Sequence, residues 1–167
     1  MDPPPLTVQL KRGRDGPSTL ACLRADGTRS HAKLHPFQPA HDLTHLAVES
    51  VLRLEESFFG MIAAGWEIDA LASPGSAARV PAQTVLTECI VALFDLERGN
   101  GEVMDAAAFN GMLEASLAGQ QRAAFRIEAA ELARIRALRD AALARWQALA
   151  PGATLELSFP LEARRLR

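Results

Sequence analysis

The sequence contains few cysteines, few aromatic residues and no long apolar run. Two cysteines among 167 residues are too few for a disulfide framework or a paired metal motif, so we expect a reducing, cytoplasmic setting. The absence of any stretch of about 18 apolar residues argues against a membrane-spanning helix, and no membrane partner is expected. Residues 1–5 lack the basic and apolar regions of a signal peptide, so none is predicted.

Neither sign of charge dominates the chain as a whole. The formal net charge of −2 argues against a dedicated polyanion-binding protein. Residues 1–39 carry a net charge of +3, residues 40–120 carry −9 and residues 121–167 carry +4. The basic N-terminal segments predicted as strands lack the aromatic side chains on which single-stranded nucleic acids stack, so nucleic acid is not an expected partner. The gradient instead suits charge complementarity within the fold, or symmetric docking in a homodimer.

The hydrophobic pattern predicts a single α+β domain over residues 1–167, with a flexible start at 1–5 and a flexible basic tail at 164–167. Alternation of apolar and polar residues predicts four strands, at 6–12, 18–25, 28–34 and 154–159. Asp26-Gly27 is a hairpin signal between the second and third of these strands. Because a lone strand is not stable, we expect the C-terminal strand to pair with the N-terminal three.

Apolar residues recur at helical spacing in the segments between the third and fourth strands. They predict four helices, at about 42–66, 82–98, 105–119 and 122–149. Asp42 is a candidate N-cap of the first helix, since its carboxylate can accept the first free backbone N–H groups. Residues 69–81 are small and contain proline and glycine, which predicts a surface loop. The expected architecture is a four-stranded, mainly antiparallel sheet covered on one face by about four helices.

All four histidines, His31, His35, His41 and His45, fall within 15 consecutive residues. On a helix, His41, His45 and Glu49 would share one face because they are four residues apart. Two imidazoles at this spacing can chelate zinc or another divalent ion, and Glu49 could be a third ligand or a base. The first and last of the three would lie about 12 Å apart along the helix axis, which makes it difficult for all three to bind one ion.

A further ligand could come from the segment before the helix. Two prolines force the chain to turn there, so His35, or His31 in its place, could reach back to the helix start. The candidate metal ligands are therefore His35, His41, His45 and Glu49. The metalloprotease signature is absent, because an aspartate follows the first histidine of the pair where that signature requires glutamate.

The same residues also allow a purely structural interpretation. Asp42 would cap the helix, His45 would take the place of the glutamate in a capping box, and Glu49 would pair with the arginine four residues on. A polar contact between subunits is a third interpretation. Cys22 and Cys89 are expected to be buried apolar residues rather than nucleophiles.

Residues 41–49 read His-Asp-Leu-Thr-His-Leu-Ala-Val-Glu and are followed by an apolar segment at 58–66. Together they resemble a group of small bacterial proteins of uncharacterised function, a resemblance that implies no substrate or cofactor. Two functions stay open. One is a non-enzymatic module that binds a partner or a second copy through the apolar segment and a groove between the first helix and the sheet. The other is a divalent-metal-binding protein or metal-assisted hydrolase, in which the ion activates water.

Overall fold

The computed structural model describes residues 5–73, 75, 79–162 and 166. The predicted flexible segments 1–5 and 164–167 lie outside these residues, apart from Pro5 and Leu166. Within the described part of the chain the fold is α+β, with four strands and six helices. The strands are β1 (Leu6–Lys11), β2 (Ser18–Leu23), β3 (Arg29–Leu34) and β4 (Thr154–Phe159). All four predicted strands are therefore confirmed.

The two ends of the chain meet in one antiparallel sheet of order β3-β2-β1-β4. In the register, Val8 of β1 lies opposite Cys22 of β2 on one side and Leu157 of β4 on the other. Because side chains alternate between the two faces of a strand, this register places the buried apolar residues of all four strands on the same face. That face is buried, as the alternation in the sequence predicts.

Six helices lie between β3 and β4 in the described part of the chain, and four of them pack on this face through buried apolar side chains. The six helices are α1 (Gln38–Leu52), α2 (Phe58–Ala63), α3 (Ile68–Ala72), α4 (Ala82–Asn100), α5 (Ala106–Gly119) and α6 (Ala129–Gln147). The short helix α3 occupies part of the predicted loop at 69–81. None of the helices in the described part of the chain combines the length and the hydropathy that a membrane span needs.

The first helix begins earlier than the sequence predicts, at Gln38. Pro39 lies in its first turn, where a missing N–H is tolerated because that group would have no helical partner. The prediction that Asp42 caps the helix is therefore wrong. Asp42 lies one turn inside α1 and is buried, 4% exposed. Phe37 is the N-cap, and no side chain bonds to the free N–H groups there.

The predicted helix over 42–66 is interrupted after α1. Arg53 adopts a left-handed conformation with φ of 54°, and its N–H bonds to the carbonyl of Glu49, which ends the helix. The chain then resumes helical structure in α2. The break allows Phe59 of α2 to pack on the sheet, whereas Val51 of α1 packs among the other helices. Tertiary packing thus decides where the helix ends, although apolar residues continue at helical spacing across the break.

The last helix begins at Ala129, later than the predicted start at 122. The side chain of Asn110 on α5 bonds to both the N–H and the carbonyl of Ile127, at 2.8 and 2.9 Å, and holds this segment in a non-helical conformation. A capping box between Glu128 and Glu131 then starts α6.

Helix α1 lies between two apolar layers. Leu43 and Leu46 pack on the sheet, and Ala47 and Val48 pack against the cluster formed with α4, α5 and α6. Every residue from 42 to 49 is consequently buried. The polar side chains of residues 42–49 are therefore held inside the protein.

Candidate metal centre

Two ionisable side chains of α1, His45 and Glu49, are almost completely enclosed, at 2% and 0% exposed. Burial of an imidazole and a carboxylate is costly unless each finds a hydrogen-bonding partner. The two side chains satisfy part of this requirement together, because His45 Nδ1 lies 3.1 Å from Glu49 Oε1.

His41 lies one turn before His45, and their rings stand edge to face with centroids 4.8 Å apart. Helix α4 presents Glu88 to both rings. His45 Nε2 lies 3.2 Å from Glu88 Oε1, and His41 Nε2 lies 3.9 Å from Glu88 Oε2. One ligand atom from each of His41, His45 and Glu88 lies within 4.8 Å of the others. Elsewhere in the described chain, no three histidine, cysteine or acidic side chains converge in this way.

The other nitrogen of each ring contacts a second carboxylate. His41 Nδ1 lies 2.7 Å from Oδ2 of Asp95, which also belongs to α4. His45 Nδ1 contacts Glu49, as described above. An ionised carboxylate only accepts hydrogen bonds, so it holds the imidazole proton on Nδ1. In the neutral rings this leaves the Nε2 lone pairs directed toward Glu88.

Glu88 is also an acceptor, so without a cation the site must hold an additional proton. Burial lowers the pKa of His45, but its hydrogen bonds to Glu49 and Glu88 outweigh burial and raise the pKa to about 10. The proton therefore resides on the imidazole, between two carboxylates. A divalent ion at Nε2 would replace that proton and interact with the same carboxylate.

The carboxylates of the site respond differently to their surroundings. Burial raises the pKa of Glu49 despite its hydrogen bond from His45. Burial also acts to raise the pKa of Glu88, whose side chain is 52% exposed, but the contact with His45 outweighs it and the pKa lies below the usual range. For Asp95, too, burial is outweighed, here by hydrogen bonds from His41 and Arg98, and the pKa is lowered.

Glu49 has a second structural role. Its Oε2 accepts hydrogen bonds from the backbone N–H groups of Phe59 at 2.8 Å and Gly60 at 3.3 Å. These groups belong to the first turn of α2. One carboxylate thus orients the ring of His45 and joins α1 to α2.

The structure brings together two of the four predicted ligands, His41 and His45. Glu49 contacts the Nδ1 side of His45, away from Glu88. The separation of about 12 Å between His41 and Glu49 along the helix axis leads one to expect that Glu49 does not join the two histidines at one point. His35 is exposed beyond the end of β3 and lies outside the group formed by the described residues, as does His31.

Glu88 and Asp95 are absent from the sequence-based prediction. They lie on α4, far from the histidines in sequence, and reach them only because α1 and α4 pack together. Their spacing of seven residues, which places both on one helix face, is a signal that could have been used. It does not identify the partner helix.

A cavity of about 380 Å³ lies beside the candidate metal centre of His41, His45 and Glu88, between the sheet and helices α1 to α4. The sequence predicts a groove in this position. Its walls are mainly apolar, and they include Leu20, Leu34, Phe58, Met61, Ile68 and Val85. His41, His45 and Glu88 form part of its polar end. No lysine or arginine is among the described residues that line it.

Asp42 also lines this cavity. Its Oδ2 atom is buried and has no hydrogen-bond partner among the described residues. Burial raises the pKa of Asp42 to about 6, although His45 and His41 nearby act to lower it.

Comparison with protein-family models, curated proteins and solved structures gives no match for this chain. The chemistry must be inferred from the side chains themselves. Two imidazole nitrogens and one carboxylate can hold a divalent ion and leave coordination positions open toward the cavity. A water molecule in such a position would be acidified by the ion.

Proposed function

We propose that this protein binds a divalent metal ion through His41, His45 and Glu88. The observation that supports the proposal is the orientation of the two rings, each with Nδ1 against a carboxylate and Nε2 toward Glu88. Hydrogen bonds of this kind hold the tautomer and direction of histidine ligands in metalloproteins and raise their basicity. Two histidines that only filled space in the core would not require a carboxylate at each Nδ1.

Zinc is the ion that we expect first, with iron(II) or another first-row metal as the alternative. Imidazole and carboxylate ligands suit these ions, and three protein ligands leave room for water or substrate. Replacing the proton on His45 by a divalent ion adds positive charge beside Glu49, Glu88 and Asp95. The ion would therefore offset more of the carboxylate charge than the proton does.

Metal-assisted hydrolysis of a small molecule held in the cavity is the activity that such a centre would support. The ion would lower the pKa of its bound water, and the cavity would hold the substrate beside it. A partner-binding module has weaker support, because most of the predicted docking segment is used internally. Phe59, Met61 and Ile62 are buried in the core, and Trp66 is half-exposed.

The test is metal binding by protein prepared without an affinity tag. We expect elemental analysis to find close to one equivalent of a divalent metal, and cobalt(II) added to the metal-free protein to give the visible absorption of an imidazole-carboxylate site. Glu88→Gln removes the ligand from a half-exposed position with little effect on folding, and should lower cobalt affinity at least tenfold. Glu114→Gln, on the exposed face of α5, is the matched control.

The proposal fails if the wild-type protein takes up no cobalt at millimolar concentration. It also fails if Glu88→Gln binds cobalt as tightly as the wild type and the Glu114→Gln control.

A further inference from the structure

We infer that the cavity beside the metal centre binds a small apolar primary amine, with its nitrogen against Asp42 and its hydrocarbon body between the sheet and α3. The position of the amine in front of metal ligands rests on the proposed function. Its binding in the cavity is argued from three features that do not depend on the ion.

The first feature is the carboxylate of Asp42. The side chain is 4% exposed, lines the cavity, and has an Oδ2 atom with no hydrogen-bond partner among the described residues. Asp42 is not a helix cap, so its position is not explained by the end of α1. A buried acceptor without a partner is destabilising, and a ligand that donates a hydrogen bond would satisfy it.

The second feature is the sign of the charge at the polar end. Asp42 and Glu88 both line the cavity, and no cationic lysine or arginine is present among its described lining residues. In the metal-free protein both ring nitrogens of His45 are already directed at carboxylates, those of Glu49 and Glu88. Besides the two histidines, the side-chain donors on the described lining are neutral, those of Gln38, Thr84 and Gln120. An ammonium group offers three donors and the charge opposite to that of the two carboxylates.

The third feature is the size and chemistry of the walls. A volume of about 380 Å³ lies within the range of small-molecule sites, roughly 300–1,000 Å³. The walls away from the carboxylates are aliphatic or aromatic, as at Leu20, Phe58 and Ile68. They would remove the hydrocarbon part of the ligand from water, which supplies affinity, while Asp42 supplies selectivity.

The experiment compares hexylamine, hexanol and hexanoate, three probes with the same alkyl chain, by calorimetric titration of the metal-free protein at pH 7.5. We expect hexylamine to bind most tightly, hexanol more weakly, and hexanoate at least tenfold more weakly than hexylamine. Equal binding of hexanoate and hexylamine would overturn the inference. No binding of hexylamine would do the same.

Asp42→Asn then tests the named contact. The change keeps the shape of the side chain and removes a buried charge, so we expect it to fold. It should lower hexylamine affinity at least tenfold and change hexanol affinity much less. Asp69→Asn, which makes the same charge change at an exposed position on α3, should leave both affinities unaltered. An Asp42→Asn variant that folds and binds hexylamine like the wild type would refute the contact. If this variant does not fold, the order of the three probes on the wild-type protein still decides the ligand class.

Cobalt binding is measured separately on the same preparations, so the two proposals can fail independently. Cobalt uptake without selectivity among the probes would support the proposed metal centre and contradict the proposed amine site. Selectivity for hexylamine without cobalt uptake would remove the metal centre and leave an acidic amine-binding cavity.

Discussion

Replacing Glu49 by glutamine should remove the proton from Nδ1 of His45. The carboxylate of Glu49 accepts hydrogen bonds on both sides, from His45 Nδ1 at 3.1 Å and from the backbone N–H of Phe59 at 2.8 Å. A glutamine has one carbonyl oxygen and one NH₂ group. Because α2 presents two N–H donors, from Phe59 and Gly60, we expect the carbonyl to face α2. The NH₂ group then faces His45.

An NH₂ group only donates, so His45 Nδ1 in the variant must accept. The Nδ1 proton of the wild-type imidazolium is then lost, and the ring keeps its proton on Nε2, the atom that faces Glu88 and would bind the ion. Loss of such an orienting contact costs metal affinity about 10- to 100-fold, which corresponds to about 1.4–2.8 kcal/mol. The free energy of unfolding should change less than the free energy of metal binding, because the N–H groups of Phe59 and Gly60 still have an acceptor. Glu49→Ala would instead leave the two N–H groups unpaired, at a cost of about 1–3 kcal/mol each.

Three measurements check this reasoning. Cobalt titration gives the affinity, nitrogen NMR of the imidazole shows which nitrogens of His45 carry a proton in the metal-free protein, and urea unfolding gives the stability. Glu114→Gln is again the matched control. The reasoning is refuted if Glu49→Gln folds, keeps the proton on Nδ1 and binds cobalt as tightly as the wild type.

Two further predictions concern parts of the fold outside the site. Burial raises the pKa of Cys22 to about 12, so the native thiol stays protonated at pH 8. We expect peptide mass spectrometry to find iodoacetamide on Cys22 only after unfolding in urea. Modification of Cys22 in the native protein would contradict its burial. Arg53→Gly should raise the free energy of unfolding by roughly 0.5–1 kcal/mol, because a left-handed residue with φ of 54° favours glycine. A decrease in urea-unfolding stability would show that the arginine side chain contributes more than its backbone strain costs.

The sheet could be predicted because its signals are local. Alternating apolar residues define the inward face of each strand, and Asp26-Gly27 marks the turn between β2 and β3. The C-terminal strand has no strand segment near it in sequence to pair with, so its pairing with the N-terminal strands followed from the need for a partner, whereas its place beside β1 did not. The helix boundaries were harder to predict, because Pro39 and Arg53 act through details of backbone geometry that a periodic pattern does not contain.

The candidate site was only half visible in the sequence. The spacing of His41 and His45 identified the pair, since both lie on one helix. Glu88 and Asp95 depend on how α1 packs against α4, and nothing in the spacing of residues within one helix specifies the neighbouring helix. The same limit explains the misassignment of Asp42, whose environment is set by the cavity and not by the adjacent sequence.

The shared carboxylate of Glu49 connects two events that would otherwise be separate. It holds the imidazole of His45 on one side and the beginning of α2 on the other, and α2 supplies Phe58 and Met61 to the cavity wall. A guest molecule that displaces α2 would therefore alter how firmly the ring is oriented, and so the affinity for the ion. Thermodynamic linkage requires the reverse effect to be equal, so binding of a metal ion would change the affinity of the cavity for its guest by the same factor.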